Sequence, residues 1–260
     1  MIEAAVLTER VGHVLVITLN RPQAYNAVNL ELAGLLGDAL EELEASPDLR
    51  AAVVAGAGRA FCAGQDLKAL ANGEGLLQPG REHWGFAQFA AHPTSKPLVA
   101  AVHGFAMGGG LEIALACDLV VVAEGTRLGL PEVAHGLFAA GGGIPRIVHQ
   151  LPPRIANRLL YTAEPIDAEE AARWGLVNEV VPADGVLDRA LELATRIAEN
   201  APLAVQATKQ LVTRLGMSST SDPRTWEIIN EEVARVFATE DAREGTRAFA
   251  EKRAPEWSGR

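Results

Sequence analysis

A chain of 260 residues that is 48% hydrophobic and 22% charged is long and apolar enough to bury a substantial core, as one large domain or a domain with an appendage. With 23 Lys and Arg against 33 Asp and Glu, a net charge of −10, it lacks the basic face that a phosphate backbone demands, which excludes a general nucleic-acid binder. The acidic surplus lies wholly in residues 1–200, because residues 201–260 hold nine groups of each sign, so an anionic ligand needs local neutralising groups. Glycine is in excess at 25 residues, and eight of them crowd into Gly104–Gly110 and Gly136–Gly143, as expected of backbone that must approach something closely. Cys62 and Cys117 stand among small apolar residues, which suits reduced thiols of a cytoplasmic protein better than a disulfide framework. The six histidines show no metal-ligand spacing, the first residues show no basic stretch leading into an apolar core, and the aliphatic runs are short. No metal, no secretory signal and no membrane span are expected.

Ala4–Arg10 and Val14–Leu19 read as two strands turning at Gly12. Asn29 precedes apolar residues at helical spacing, Leu32, Leu35, Leu36, Ala39, Leu40 and Leu43, and predicts an N-capped helix that Pro47 ends. Ala51–Ala55 is a short buried strand, and Leu70–Gly85 a mobile loop or irregular helix. Leu98–Val102 and Leu119–Ala123 are buried strands with a helix between them, and this alternation predicts an α/β fold. Beyond Pro152 the chain turns mostly helical. Asp167 starts one helix and Trp174-Gly175 stops it, Leu176–Val181 is a further strand, and Asp184–Glu199, Ala204–Leu215, Thr225–Ala238 and Thr239–Ala250 are helices. Gly216–Pro223 is the expected flexible linker.

Three segments carry residue types that chemistry needs. Phe61-Cys62-Ala63-Gly64-Gln65-Asp66-Leu67-Lys68 is a small-residue turn after a strand, able to expose backbone N–H groups, though an ordinary strand-to-loop turn has the same composition. Just before it, Gly56-Ala57-Gly58 begins like a dinucleotide fingerprint, but Phe61 stands where the third glycine belongs and no acidic partner follows, so NAD binding is rejected. Gly108-Gly109-Gly110 opens a helix, where uncovered N–H groups and the helix dipole favour a developing oxyanion. Glu112 in its first turn is either a dipole-favoured acid or, among Leu111, Ile113, Ala114 and Leu115, a buried carboxylate that needs a reason. Glu132 follows a short strand and precedes Gly141-Gly142-Gly143; it reads as a helix-start acid or as a second acid–base group.

Taken together, Phe61–Lys68, Gly104–Asp118 and Leu130–Gly143 resemble the signature of the crotonase (enoyl-CoA hydratase/isomerase) superfamily. Asn20-Arg21-Pro22 with Asn26-Ala27, Asp167–Val181 and Phe249-Ala250-Glu251-Lys252-Arg253 extend the resemblance over nearly the whole chain. It implies a crotonase (ClpP-like) spiral of ββα turns over residues 1–199, and a helical C-terminal trimerisation region over residues 200–260, assembled as a homotrimer or a homohexamer built as a dimer of trimers. It implies an acyl-CoA thioester substrate and no cofactor, coenzyme A being part of the substrate. By position, the N–H groups of Ala63 and Gly109 would form the oxyanion hole. Ala63, Gly64, Gln65 and Asp66 would line the coenzyme path, with Lys68, Arg21 and Lys252 near it; Lys252, reaching from a neighbouring subunit, reads equally as a solvated tail lysine.

Both glutamates of the hydratase pattern match, Glu112 and Glu132. The resemblance therefore implies an enoyl-CoA hydratase that adds water reversibly and syn to a 2-enoyl-CoA in fatty-acid or related acyl-CoA metabolism. Glu112 would activate water for attack at Cβ and Glu132 would exchange the proton at Cα. The loop Phe138-Ala139-Ala140-Gly141 and Leu111 depart from the usual pattern, and both touch the acyl pocket. The tail and Phe61–Lys68 resemble the carnitinyl-CoA dehydratase branch, whose trimethylammonium group favours an aromatic or acidic pocket. Trp84, Phe86, Phe89 and Phe138 are the candidates, and core packing explains all four at least as well. An enoyl-CoA isomerase and a non-catalytic acyl-CoA sensor are the alternatives.

Overall fold

The computed structural model describes residues 4–75, 78, 80–216, 218 and 221–260. β1 (Val6–Val11) and β2 (Val14–Leu19) form an antiparallel hairpin whose turn places Gly12 at φ +58°. α1 (Leu30–Ala45) starts where expected: the Asn29 side chain accepts the N–H of Leu32 at 3.0 Å. It leaves the helical path at Ser46, since the residue before a proline is pushed to extended backbone. Its last turn is held by a group that local pattern does not reveal. The buried Lys96 donates from Nζ to the carbonyls of Leu43 and Ser46 at 2.6 Å each, a cation at the negative end of a helix.

The remaining elements are β3 (Ala51–Gly56), α2 (Leu67–Ala71), β4 (Leu98–Val102), β5 (Phe105–Met107), α3 (Gly109–Ala116), β6 (Leu119–Ala123) and β7 (Arg127–Gly129). They continue as α4 (Gly143–Gln150), α5 (Pro153–Thr162), β8 (Ile166–Asp167), α6 (Ala168–Arg173), β9 (Glu179–Val181), α7 (Val186–Ala198), α8 (Pro202–Leu215), α9 (Pro223–Phe237) and α10 (Glu240–Glu251). The larger sheet runs β1-β2-β3-β4-β6-β9, parallel except for the opening hairpin, and the smaller runs β5-β7-β8. Two successive turns of the chain each give a strand to the large sheet, the next to the small sheet, then a helical segment: β4-β5-α3, then β6-β7 and the 3₁₀ turn Pro131–His135. The molecule is thus an α/β spiral of ββα turns.

Strand alternation divides the core. Ala52, Val54, Ala100, Val102 and Val122 face α1 and α3, while Val53, Ala55, Val99, Ala101 and Val121 face Ala190, Ala194 and Ala198 of α7. Parallel strands buried on both faces are apolar throughout, which is why β4 and β6 appear within the bounds that their aliphatic runs predict. β5 and β8 carry no such signal, since three and two residues are too short for a period and exist because tertiary pairing places them. The strand expected at Leu176–Val181 is confined to Glu179–Val181. Leu176 and Val177 pack into the core, and Asn178 pairs with Val120 through both its N–H and its side-chain oxygen.

Residues 70–85 are less irregular than expected at their ends, finishing α2 and forming a 3₁₀ turn at Glu82–Trp84; Leu76, Leu77 and Pro79 lie outside the described residues. Of the expected linker Gly216–Pro223, Met217, Ser219 and Thr220 also lie outside them, and Asp222 caps α9. α8 is tied to the sheet layer by Lys209, whose Nζ reaches the Lys96 carbonyl and Asp118 at 2.9 and 2.8 Å. The final residues fold back: buried Asp241 accepts the Ser258 N–H, and Trp257 Nε1 donates to the Glu199 carbonyl, both at 2.7 Å. Among the described residues no helix is long and apolar enough to cross a membrane.

Candidate active site

Strand β5 ends at Met107, and the chain reverses through Gly108, φ +54°, into α3. A helix opened on glycine leaves its first N–H groups without side-chain cover. The Gly109 N–H has no partner among the described residues. Facing it is Gly64, φ +91°, where a Cβ would fall 2.7 Å from the Met107 carbonyl oxygen and 3.0 Å from the Gly109 nitrogen. Gly110 packs closer still, its missing Cβ 2.2 Å from the Cys62 carbonyl oxygen. The two glycine-rich turns are pressed together as backbone on backbone.

The expectation for Ala63 is corrected here. Its N–H donates to the Tyr25 carbonyl at 2.9 Å and is not available to a ligand. Two residues on, Gln65 pairs with Val28: Gly64 O accepts from Val28 N and Asp66 N donates to Val28 O, the bridge of a parallel pair. In such a bridge the intervening residue turns its own N–H the other way. The Gln65 N–H accordingly has no partner among the described residues, and Gln65 lines the cavity with Gly109.

That cavity, about 760 Å³, also takes in Glu112 and Glu132. Glu112 is 3% exposed, and its Oε1 accepts the Gly143 N–H at 2.8 Å. A Cβ on Gly141 would lie 2.5 Å from Glu112 Oε2, so the loop closes over the carboxylate because position 141 has no side chain. Glu132, in the first turn after β7, sits against Gly108, whose missing Cβ is 3.3 Å from Glu132 Oε1. Its Oε2 is buried without a partner among the described residues. Burial pushes the Glu112 carboxyl up, the Gly143 N–H pulls it down and the nearby Glu132 pushes it up again, leaving it above the ordinary carboxylate range. Burial likewise raises Glu132. Protons are thus held more tightly in the folded state than in the unfolded one. The resulting penalty is absent while both groups are protonated, below pH ~4, and grows as pH rises through their range. Glu132→Gln is therefore expected to melt above the wild type at pH 8, with the difference shrinking as the melting is repeated toward pH 4. An equal difference at both pH values would refute the assignment.

The other expected residues divide. Ala63 lines the cavity, whereas Arg21 and Asp66 serve the loop itself. Arg21 Nη1 donates to Asp66 at 3.0 Å and to the Ala27 carbonyl, and Asp66 caps α2 through the N–H groups of Lys68 and Ala69. Burial raises the Asp66 carboxyl, but the Ala69 N–H and the Arg21 guanidinium outweigh it and hold it below the ordinary range. Lys68 is exposed beside this cap, and Lys252, at the end of α10, does not line this cavity of its own chain. Of the four aromatics Phe86 and Phe138 line the cavity; Trp84 and Phe89 are buried outside it. Cys62 and Cys117 are buried and free, and burial pushes the Cys62 thiol up to about 12.

Sequence reasoning missed Asn26 as a brace. Fully buried at φ +56°, it donates from Nδ2 to the carbonyls of Ala57, Ala60 and Phe61 and accepts the Arg21 N–H, so it shapes the turn that delivers Gln65. The only sequence signal is an asparagine, which tolerates left-handed backbone better than other side chains. Glu74 and His135, also on the cavity wall, were not anticipated. Among the described residues no group of three His, Cys, Asp or Glu side chains is placed to hold a metal ion.

Two uncommitted backbone donors and two carboxylates around one cavity form an arrangement that can stabilise an enolate oxygen while protons move beside it. Known proteins resemble the chain over its whole length. A family profile described as Enoyl-CoA hydratase/isomerase matches residues 9–260. The carnitinyl-CoA dehydratase of Proteus mirabilis is 42% identical over 98% of this chain and 98% of its own. The solved enoyl-CoA hydratase of Mycobacterium tuberculosis H37Rv superposes with a TM-score of 0.92 at 41% identity, covering 99% of this chain and all of that one. A carnitinyl-CoA dehydratase structure from Mycobacterium avium 104 is 49% identical, with a TM-score of 0.79 and coverage of 99% and 100%. Sequence, fold and cavity agree: the chain has the crotonase fold and belongs to the enoyl-CoA hydratase/isomerase family.

Proposed function

We propose that the protein catalyses reversible syn addition of water to a 2-enoyl-CoA thioester, with Glu112 and Glu132 as the acid–base pair and the Gln65 and Gly109 N–H groups as donors to the thioester oxygen. The observation that carries this reading is the convergence of both carboxylates, raised by burial, and both unpartnered donors on one cavity. In the hydration direction ionised Glu112 takes a proton from water as the water oxygen bonds to Cβ. The electron pair of the double bond moves onto the thioester, whose oxygen gains charge between the two N–H groups. Protonated Glu132 then gives its proton to Cα, and the pair is reset by proton exchange. One such donor is worth ~3 kcal/mol to the transition state. No cofactor takes part besides the coenzyme A of the substrate.

Lys68, and Lys252 of a neighbouring subunit, are the proposed cationic neighbours of the coenzyme phosphates, and Gly64 and Gln65 border its path. Residues 200–260 form the proposed oligomerisation region of a homotrimer or homohexamer, supported by the exposed Val212, Phe237 and Phe249. Two buried free thiols support a reducing compartment, the cytoplasm.

A second reading, carnitinyl-CoA dehydratase, is favoured by Phe86, Phe138 and Glu74 in the lining of the same cavity, since aromatic faces and a carboxylate suit a trimethylammonium group. Retention of both glutamates weighs against an isomerase, which needs one acid. Turnover of crotonyl-CoA, longer and branched 2-enoyl-CoAs and carnitinyl-CoA, followed by the absorbance of the conjugated thioester, separates these readings. Hydration of simple enoyl-CoAs is expected. Preference for carnitinyl-CoA selects the second reading, and thermal stabilisation by acyl-CoA with no turnover of any of them leaves only a binding protein.

A further inference from the structure

The Gly141-Gly142-Gly143 run faces three different groups. Gly141 lies against Glu112 and Phe86, its missing Cβ 2.5 Å from Glu112 Oε2 and 2.8 Å from Phe86 Cβ. Gly143 gives its N–H to Glu112. Gly142, φ +98°, faces neither; its missing Cβ falls 2.1 Å from Nη1 of Arg146. Arg146 stands one turn into α4, and its part-buried guanidinium is spent on two carbonyls. Nη1 donates to Gly141 O at 3.4 Å and Nη2 to Ala90 O at 2.5 Å. No carboxylate among the described residues forms an ion pair with it. Burying a cation on carbonyls alone is costly, and the arrangement needs a compensating charge nearby.

The two carbonyls belong to two segments that pack together at Gly141, beside Glu112. Ala90 ends the stretch Gly85–Ala90, whose Ala87 and Gln88 are held at φ +59° and +55° and whose Phe86 ring covers Gly109. Gly141 belongs to the loop that closes on Glu112. We propose that Arg146 is a positioning residue of the active centre: its guanidinium clips the Phe86 segment to the glycine loop and supplies the positive charge opposite Glu112. The charges around Glu112 are few. Glu132, in the 3₁₀ turn, pushes the Glu112 carboxyl up and Arg146, on α4, pulls it down, while His135 acts on Glu132. Cys117, at the end of its own helix, is a buried thiol that burial pushes far up and keeps uncharged, with Asp118 and Lys209 beyond it. The Phe86–Ala90 stretch brings no titratable group. Burial works against the Arg146 charge, and Glu112 favours it.

The inference rests on the hydratase reading for its kinetic part only, so its test has two arms. In Arg146→Met the Glu112 carboxyl, followed by ¹³C NMR of glutamate-labelled protein and assigned with Glu112→Gln, is expected to titrate at higher pH than in the wild type. The acidic limb of the kcat/KM profile for crotonyl-CoA moves the same way, and kcat falls more than KM rises, by roughly 10-fold to 100-fold for a misplaced reacting group. Arg146→Lys keeps the charge but cannot span both carbonyls. It is expected to restore the titration of Glu112 and not kcat, and it carries the test if the methionine variant does not fold. A folded Arg146→Met with an unmoved Glu112 titration, or an Arg146→Lys equal to wild type in both readouts, overturns the proposal. An inactive wild type refutes the hydratase reading and leaves the NMR arm intact.

Discussion

Glu112→Gln is expected to lower kcat for crotonyl-CoA hydration by about 10²–10⁴-fold, the usual contribution of a positioned acid or base. The substitution keeps the shape of the side chain and an oxygen that can accept the Gly143 N–H, so the glycine loop retains its anchor. It removes the proposed base, and with it the repulsion between two buried carboxylates. The loss is expected in kcat, with KM nearly unchanged, because the carboxylate acts on water and not on the coenzyme. The fold is expected to hold, since neutralising a buried acid relieves a penalty and active sites commonly trade stability for function. Full activity in a well-folded Glu112→Gln protein would falsify its assignment as base. The measurement is steady-state hydration alongside thermal melting of the same preparation.

Gly110→Ala is expected to cost roughly 3 kcal/mol or more of stability, the upper end of what overpacking usually does. For a chain of this size that corresponds to a melting temperature lower by about 6–12 °C. The added Cβ would lie 2.2 Å from the Cys62 carbonyl oxygen and 2.8 Å from its carbon, both backbone atoms. Cys62 cannot step aside, because its N–H donates to Phe105 O and its carbonyl accepts from Met107 N, the links between its turn and β5. The strain must instead lift α3. Since α3 carries both the Gly109 N–H and Glu112, activity is expected to fall even at temperatures where the variant is folded. An alanine variant that melts and turns over like the wild type would show that the two backbones are not in contact.

The same residues show how far sequence reading reaches. Strands β4 and β6 and helix α1 are legible because their signals are local and dense: five apolar residues in a row, or an N-cap followed by helical spacing. Glu112 and Glu132 are legible only through the family resemblance, because taken alone each reads as well as an ordinary acid at a helix start. The donor opposite Gly109 is not, because Ala63 and Gln65 both lie in the same small-residue turn. Which of their N–H groups is spent depends on Tyr25 and Val28, about 40 residues earlier in the chain. Arg21 and Asp66 likewise read as coenzyme contacts until their side chains are seen to pair with each other.

Composition, periodicity and motif spacing, which are properties of the chain alone, were enough for the α/β class and the family, for naming Glu112 and Glu132 as candidates, and for expecting glycine-rich backbone to approach something closely. Tertiary structure alone decided which N–H groups stay unpartnered, which aromatics reach the cavity and which cation stands opposite Glu112. The physical reason is that a hydrogen bond consumes a donor wherever its partner comes from. Availability at the site is therefore fixed by contacts between residues far apart in sequence, such as Ala63 with Tyr25 and Arg146 with Ala90.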